Sequence, residues 1–216
     1  SNPVEGEVWY NSSTGAFRLK TVVGVGSWST GNTLNTSRYY LAGAGTQPSA
    51  LAFGGRGAPV TSLGTTESYN GTNWTSVNSM GTARAYLGGC GASNTDALAF
   101  GGTPALAITE TWNGTNWTEV NDLNTGRQRI SVSGAGTNTA CLAFGGTGTA
   151  DATESWNGTN WTTVGNLNTG RQQAAGSGTS TSAICSGGES PAADVAINET
   201  WNGSAWTEVA DLNSAK

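Results

Sequence analysis

Four glutamates and four arginines recur at fixed places in this 216-residue chain, and they are the side chains best suited to chemistry. Glu67, Glu110, Glu154 and Glu199 each stand two residues before an aromatic, while Arg38, Arg84, Arg127 and Arg171 follow one another at steps of 46, 43 and 44. A ring of carboxylates around a central channel could hold a cation. A buried charge without a partner is too costly to recur four times, however, and there is an arginine for every glutamate. The expectation is therefore a structural set of ion pairs that fixes register, with no metal.

Catalysis finds little support. The chain has no histidine, which removes the commonest general base, triads that need imidazole and most transition-metal sites. Two-carboxylate hydrolysis remains formally open through Asp96, Asp151, Asp194 or the glutamate set, but nothing marks out one pair. No catalytic residue and no cofactor is assigned. Three cysteines are too few for a disulfide framework. Cys141 and Cys185 lie in apolar runs before Gly-Gly, Cys90 lies in a Gly-rich run, and their counterparts in other repeats are Ala and Leu. They read as small buried hydrophobes, and no spacing resembles a zinc site.

The charges belong to a larger repeat of about 44 residues. Its second tryptophan falls at Trp74, Trp117, Trp161 and Trp206, in steps of 43, 44 and 45. Helix is disfavoured by the Gly, Thr, Ser and Asn content and by the absence of a helical apolar period. Short apolar runs bounded by turn residues appear instead. In the third unit they are Ile130 to Ala135, Ala140 to Phe144, Thr153 to Trp156 and Trp161 to Val164. Asn-Gly at Asn113-Gly114, Asn157-Gly158 and Asn202-Gly203 signals a hairpin, because both residues tolerate positive φ. Four antiparallel strands per unit predict an all-β fold, the blades of a β-propeller.

Phe100-Gly101-Gly102 followed by Trp112 and Trp117, with its counterparts over residues 34 to 213, resembles the kelch repeat of β-propellers. The two aromatics stand five apart, closer than the usual kelch spacing, which implies a tighter last hairpin. The resemblance implies blades in a ring. Some kelch-type propellers carry copper radical oxidases, but that site needs histidine ligands, which this chain lacks. The Gly pair is expected to let the chain leave an inner strand where blades crowd. Phe100, Phe144 and the paired tryptophans are expected to pack between blades at about 2–3 kcal/mol each, in preference to forming sugar-stacking platforms.

Composition agrees. Net charge is −5 and charged residues are only 11%, which disfavours nucleic acid. No run of 18 apolar residues predicts membrane insertion, and Ser1 to Glu7 lack the pattern of a signal peptide. Repeated Asn-x-Thr/Ser sequons follow from hairpin chemistry and are weak evidence for glycosylation.

Function should lie where the repeats disagree. The segments Arg56 to Thr66, Thr103 to Thr109, Thr147 to Thr153 and Glu189 to Asn198 are 11, 7, 7 and 10 residues long and join equivalent strands, so they should emerge on one face. Their candidate binding residues are Arg56, Pro59, Thr103, Pro104, Thr147, Asp151, Glu189, Pro191 and Asp194. Residues 4–30 depart from the repeat. They read as a hairpin around Asn11-Ser12-Ser13-Thr14-Gly15, followed by Trp28-Ser29-Thr30, which matches the landmark that closes a blade. That hairpin resembles short modules of bacteriophage tail fibres and other virion proteins.

Residues 1–216 are thus expected to form a single propeller domain, with four repeats over 31–216 and residues 4–30 as an atypical fifth blade. An open array that associates with other copies is the competing architecture. The favoured function is a non-enzymatic recognition or structural module at a virion surface or outside the cell. Its partner would be a cell-surface glycan or protein, or another virion protein. A carbohydrate-active enzyme and a purely architectural part are the alternatives.

Overall fold

The computed structural model describes residues 8–11, 16–19, 31–133, 136–148 and 150–215. The chain divides into two compact units, Ser1–Gly31 and Asn32–Lys216. In the first, β1 (Val8–Asn11) and β2 (Ala16–Leu19) pair antiparallel, Val8 opposite Leu19 and Asn11 opposite Ala16.

In the second unit the first blade comprises β3 (Ala42–Thr46) and β4 (Ser49–Phe53), then a two-residue ribbon of β5 (Arg56–Gly57) and β6 (Thr61–Ser62), then β7 (Thr66–Tyr69) and β8 (Trp74–Val77). The second blade is β9 (Gly88–Ser93), β10 (Asp96–Phe100), β11 (Thr109–Trp112) and β12 (Trp117–Val120). The third is β13 (Ser131–Ser133), β14 (Cys141–Phe144), β15 (Thr153–Trp156) and β16 (Trp161–Thr163). The fourth is β17 (Ala175–Thr179), β18 (Ser182–Ser186), β19 (Asn198–Trp201) and β20 (Trp206–Val209). Within each blade neighbouring strands are antiparallel, no helix occurs among the described residues, and the four small sheets form a four-bladed β-propeller. The first strands of the third and fourth blades also run side by side in parallel, Val132 opposite Ala175. Most of residues 4–30, expected to supply a fifth blade, including Trp28, lies outside the described residues.

Strand periodicity explains how the blades nest. Along β10, Ala97 and Ala99 join the cluster shared with the first blade, while Leu98 and Phe100 join the cluster shared with the third. A small face on one side and a large face on the other let each sheet seat on the next. The tryptophan pair completes the joint. Trp112 and Trp117 sit opposite each other across β11 and β12 with ring centroids 5.5 Å apart. Trp117 reaches the preceding blade, 5.0 Å from Phe53, and donates its indole N–H to Thr66 Oγ1 at 2.9 Å. Trp161 makes the same pair of contacts with Phe100 and Thr109, and Trp206 with Phe144 and Thr153.

Close approach dictates the glycines. A Cβ on Gly89 would lie 2.7 Å from Cζ of Phe53 and 3.0 Å from Cβ of Ala42, so the first strands of the first two blades meet only because a side chain is missing. The Gly-Gly doublets follow the second strand of each blade, an inner strand of the four. Both residues take positive φ, +64° at Gly101 and +115° at Gly102, and Gly102 N–H donates to Arg127 O at 2.9 Å. The Asn-Gly hairpins form with different turn chemistry from that expected. At 113–116 only Gly114 has positive φ, and the Asn113 side chain accepts the N–H groups of Thr115 and Asn116 at 2.9 Å each. Asparagines from the preceding blade then grip the loop, as where Asn78 Nδ2 donates to Thr115 O and Asn116 Oδ1.

One expectation is corrected. Cys90 of β9 and Cys141 of β14 are joined by a disulfide across the second and third blades, with Cα atoms 6.6 Å apart. Both are wholly buried in the apolar cluster there, so they are hydrophobic in setting but covalently linked. They sit on non-equivalent strands, 51 residues apart, so the repeat period does not reveal the pairing. Cys185 is buried in the next cluster.

The disulfide closes a loop large enough to remove about 4 kcal/mol of chain entropy from the unfolded state. Reductant should therefore lower the urea midpoint of the protein, and a Cys90→Ala/Cys141→Ala variant should start lower and lose its response to reductant.

Candidate functional site at the propeller axis

Each recurring glutamate is held in the same clasp. The guanidinium of Arg38 meets Glu67 at 2.7 Å, Arg84 meets Glu110 at 3.1 Å, Arg127 meets Glu154 at 2.9 Å, and Arg171 pairs with Glu199. All eight side chains are buried. The carboxylates also accept backbone N–H groups from the loop that precedes the arginine: Asn35 and Thr36 to Glu67, Gly81 and Thr82 to Glu110, Asn124 to Glu154, Asn168 and Thr169 to Glu199. Both glutamate oxygens are thereby occupied, and no group of three or more potential metal ligands occurs among the described residues.

Burial pushes the Glu67 carboxyl up, but the Asn35 and Thr36 N–H bonds and the Arg38 guanidinium outweigh it, and the net pKa lies below the ordinary value. Burial pushes the Arg84 and Arg127 guanidinia down, opposed first by Glu110 and by Glu154 respectively.

Beyond each arginine the chain does something unusual. Tyr40, Tyr86, Arg129 and Gln173 stand two residues after Arg38, Arg84, Arg127 and Arg171, and all four have φ of +55°. For residues with a side chain the left-handed region costs about 1–3 kcal/mol and persists only where the surroundings enforce it. The enforcement is a backbone relay from blade to blade. Tyr86 N–H donates to Tyr40 O at 3.0 Å, Arg129 N–H to Tyr86 O at 2.9 Å, and Gln173 N–H to Arg129 O at 3.1 Å. Equivalent atoms of successive blades can come within hydrogen-bond distance only close to the axis about which the blades are arranged. These four residues therefore mark one end of that axis.

The variable loops start at the same end. The first residue after each Gly pair bonds to the residue following the arginine: Arg56 with Tyr39, Thr103 with Ala85, Thr147 with Gln128, Glu189 with Gln172. Arg56, Thr103, Thr147 and Glu189 are thus brought around Tyr40, Tyr86, Arg129 and Gln173. Tyr40 stacks on Tyr86 with centroids 3.9 Å apart, and the guanidinia of Arg56 and Arg129 lie 5.3 and 5.2 Å from the centroid of Tyr86. Burial first, then hydrogen bonding to Tyr40, pushes the Tyr86 phenol pKa up. Glu189 accepts the side-chain amides of Gln172 and Gln173 at 2.9 and 3.1 Å and lies 3.9 Å from Arg129.

Two hollows open here. One of about 220 Å³ is lined by Tyr40, Tyr86, Arg129 and Gln173 over Leu41, Leu87, Ile130 and Ala174. One of about 300 Å³ lies between the third and fourth blades and is lined by Thr147, Glu189 and Pro191 among others. Pro59, Pro104 and Asp194 are exposed further out on their loops. Asp151 is not part of the cluster: its carboxylate accepts Asn166 Nδ2 at 3.0 Å, and its carbonyl accepts Leu167 N–H. The axial residues themselves were not singled out by sequence. The signal in the sequence is slight, since the position two after each arginine reads Tyr, Tyr, Arg, Gln and the position before it varies as well, Tyr39, Ala85, Gln128 and Gln172.

Neither a protein-family model nor a curated protein sequence matches the chain.

Removing one member of a buried pair strands the other. Arg127→Ala should cost about 3–5 kcal/mol in urea unfolding, whereas an Arg127→Met/Glu154→Leu double replacement should cost less. The clasp also predicts acid sensitivity at Glu67. Its folded pKa is depressed, so its contribution is complete above the unfolded value of about 4.3 and is lost as pH falls through the lower folded value. Glu67→Gln should flatten the dependence of the urea midpoint on pH below about pH 5.

Proposed function

We propose that this kelch-like propeller is a recognition module of a bacteriophage particle, without enzymatic activity, that binds a cell-surface glycan or protein through its axial face. The observation that carries the reading is the set of four equivalent, strained backbone positions whose side chains are of three kinds, two tyrosines, an arginine and a glutamine. The inter-blade relay holds the backbone in this strained form but leaves the side chains free to differ, and such strain gathers at ligand sites. The variable loop residues Arg56, Thr103, Thr147 and Glu189 border the same end, as recognition loops on a rigid frame do. A location outside the cell or at a virion surface is supported by the Cys90–Cys141 disulfide, which persists in oxidising surroundings. The association with phage rests on the resemblance of the β1–β2 hairpin to tail-fibre modules and on the composition, rich in Gly, Thr, Ser and Asn.

Glycan-array and host-cell binding should fall about tenfold or more in a Tyr40→Ala/Tyr86→Ala variant, the loss expected when aromatic anchors are truncated. It should fall again when Arg56–Thr66 is exchanged for the shorter loop Thr103–Thr109. Unchanged binding in both variants, with folding intact, would sink the assignment to this face.

A further inference from the structure

Resting on the recognition reading, we infer that the hollow at the propeller axis takes a terminal acidic sugar, a single carboxylate-bearing ring at the end of a saccharide chain. Charge is the first argument. The chain as a whole carries −5, yet two guanidinia from different blades, Arg56 and Arg129, are gathered at the ring of Tyr86. Their local opposition is one carboxylate, Glu189, which stands 3.9 Å from Arg129 and is already engaged by Gln172 and Gln173. No carboxylate lies within ion-pair distance of Arg56 among the described residues. This contrasts with the four buried arginines, each closed on a glutamate. A pair of under-neutralised guanidinia beside an aromatic stack forms a receptor for a carboxylate borne on a group with an apolar face.

Shape and lining choose the rest. At about 220 Å³ the hollow is smaller than the ~300–1,000 Å³ of typical drug-sized ligand sites, so it suits one terminal ring and not an extended chain. Tyr40, which lines the hollow, remains 45% exposed, leaving aromatic surface for the C–H face of a sugar. Gln173, which lines the hollow, supplies an amide partner for hydroxyl groups. A protein C-terminus would offer a carboxylate but not the ring of hydroxyls that this polar side can satisfy.

The test is calorimetric titration of the whole chain with the methyl glycosides of glucuronic acid and of N-acetylneuraminic acid. Neutral methyl glucoside and a tripeptide with a free C-terminus serve as comparisons. At least one acidic glycoside should bind about tenfold or more tightly than methyl glucoside, with affinity falling as salt is raised. Arg56→Gln and Arg129→Gln should each reduce that preference. Glu189→Gln, which removes the competing carboxylate, should strengthen binding severalfold, a gain that a merely structural role would not produce. Equal binding of acidic and neutral glycosides, stronger binding of the tripeptide, no binding of either acidic glycoside, or a preference that survives both arginine substitutions would overturn the proposal. If the tyrosine variants lose cell binding while no acidic glycoside binds, the acidic-sugar assignment falls and recognition through this face stands.

Discussion

The structure depends on a carboxylate that is never left alone. In each blade the glutamate of the third strand holds, at once, the backbone of the entering loop and the guanidinium of the arginine at that loop's end. The carbonyls of Arg84, Arg127 and Arg171 in turn accept an N–H of the preceding blade's Gly pair, as Arg127 O does from Gly102. One ionic group therefore sets where a blade begins, how it meets its neighbour and where the next two residues must lie. Burying the pair is costly by itself. Its recurrence reflects the fact that N–H groups, guanidinium and carboxylate satisfy one another in a single place.

The apolar joints supply cohesion around this clasp. A phenylalanine from one blade and a tryptophan from the next meet at about the same separation in the three joints between blades consecutive in sequence, and each of these indole N–H groups finds a threonine hydroxyl. That hydroxyl explains why tryptophan serves here and phenylalanine would not. The ring fills the gap between sheets, and its polar edge is not left unsatisfied on burial. The alternation of alanine with leucine or phenylalanine along the second strands is the complementary half of the same fit.

Much of this was legible in the residues. The spacing of tryptophan and arginine gave the period, and runs such as Thr153 to Trp156 coincide with strands because β-branched and aromatic residues between turn formers leave few alternatives. Other features were hidden for physical reasons. Asn-Gly announces a hairpin, but it does not announce that the asparagine side chain closes a four-residue loop by accepting the next two free N–H groups, as Asn113 does at 113–116 and Asn202 at 202–205. Cys90 and Cys141 meet only because unlike strands of adjacent blades come together, which a period cannot show. The axial quartet was least visible. Nothing about Tyr40 or Arg129 as residue types suggests φ of +55°, and a neighbour-to-neighbour relay imposes it.

That relay uses only main-chain groups, so four side chains project from one rotationally repeated frame without taking part in it. Their order, Tyr, Tyr, Arg, Gln, breaks the rotational equivalence that the blades otherwise share. A molecule seated over the axis would meet aromatic surface on one side, cation on another and amide on a third. It would therefore settle in one azimuth out of four, and a near-symmetric ring would acquire a defined heading.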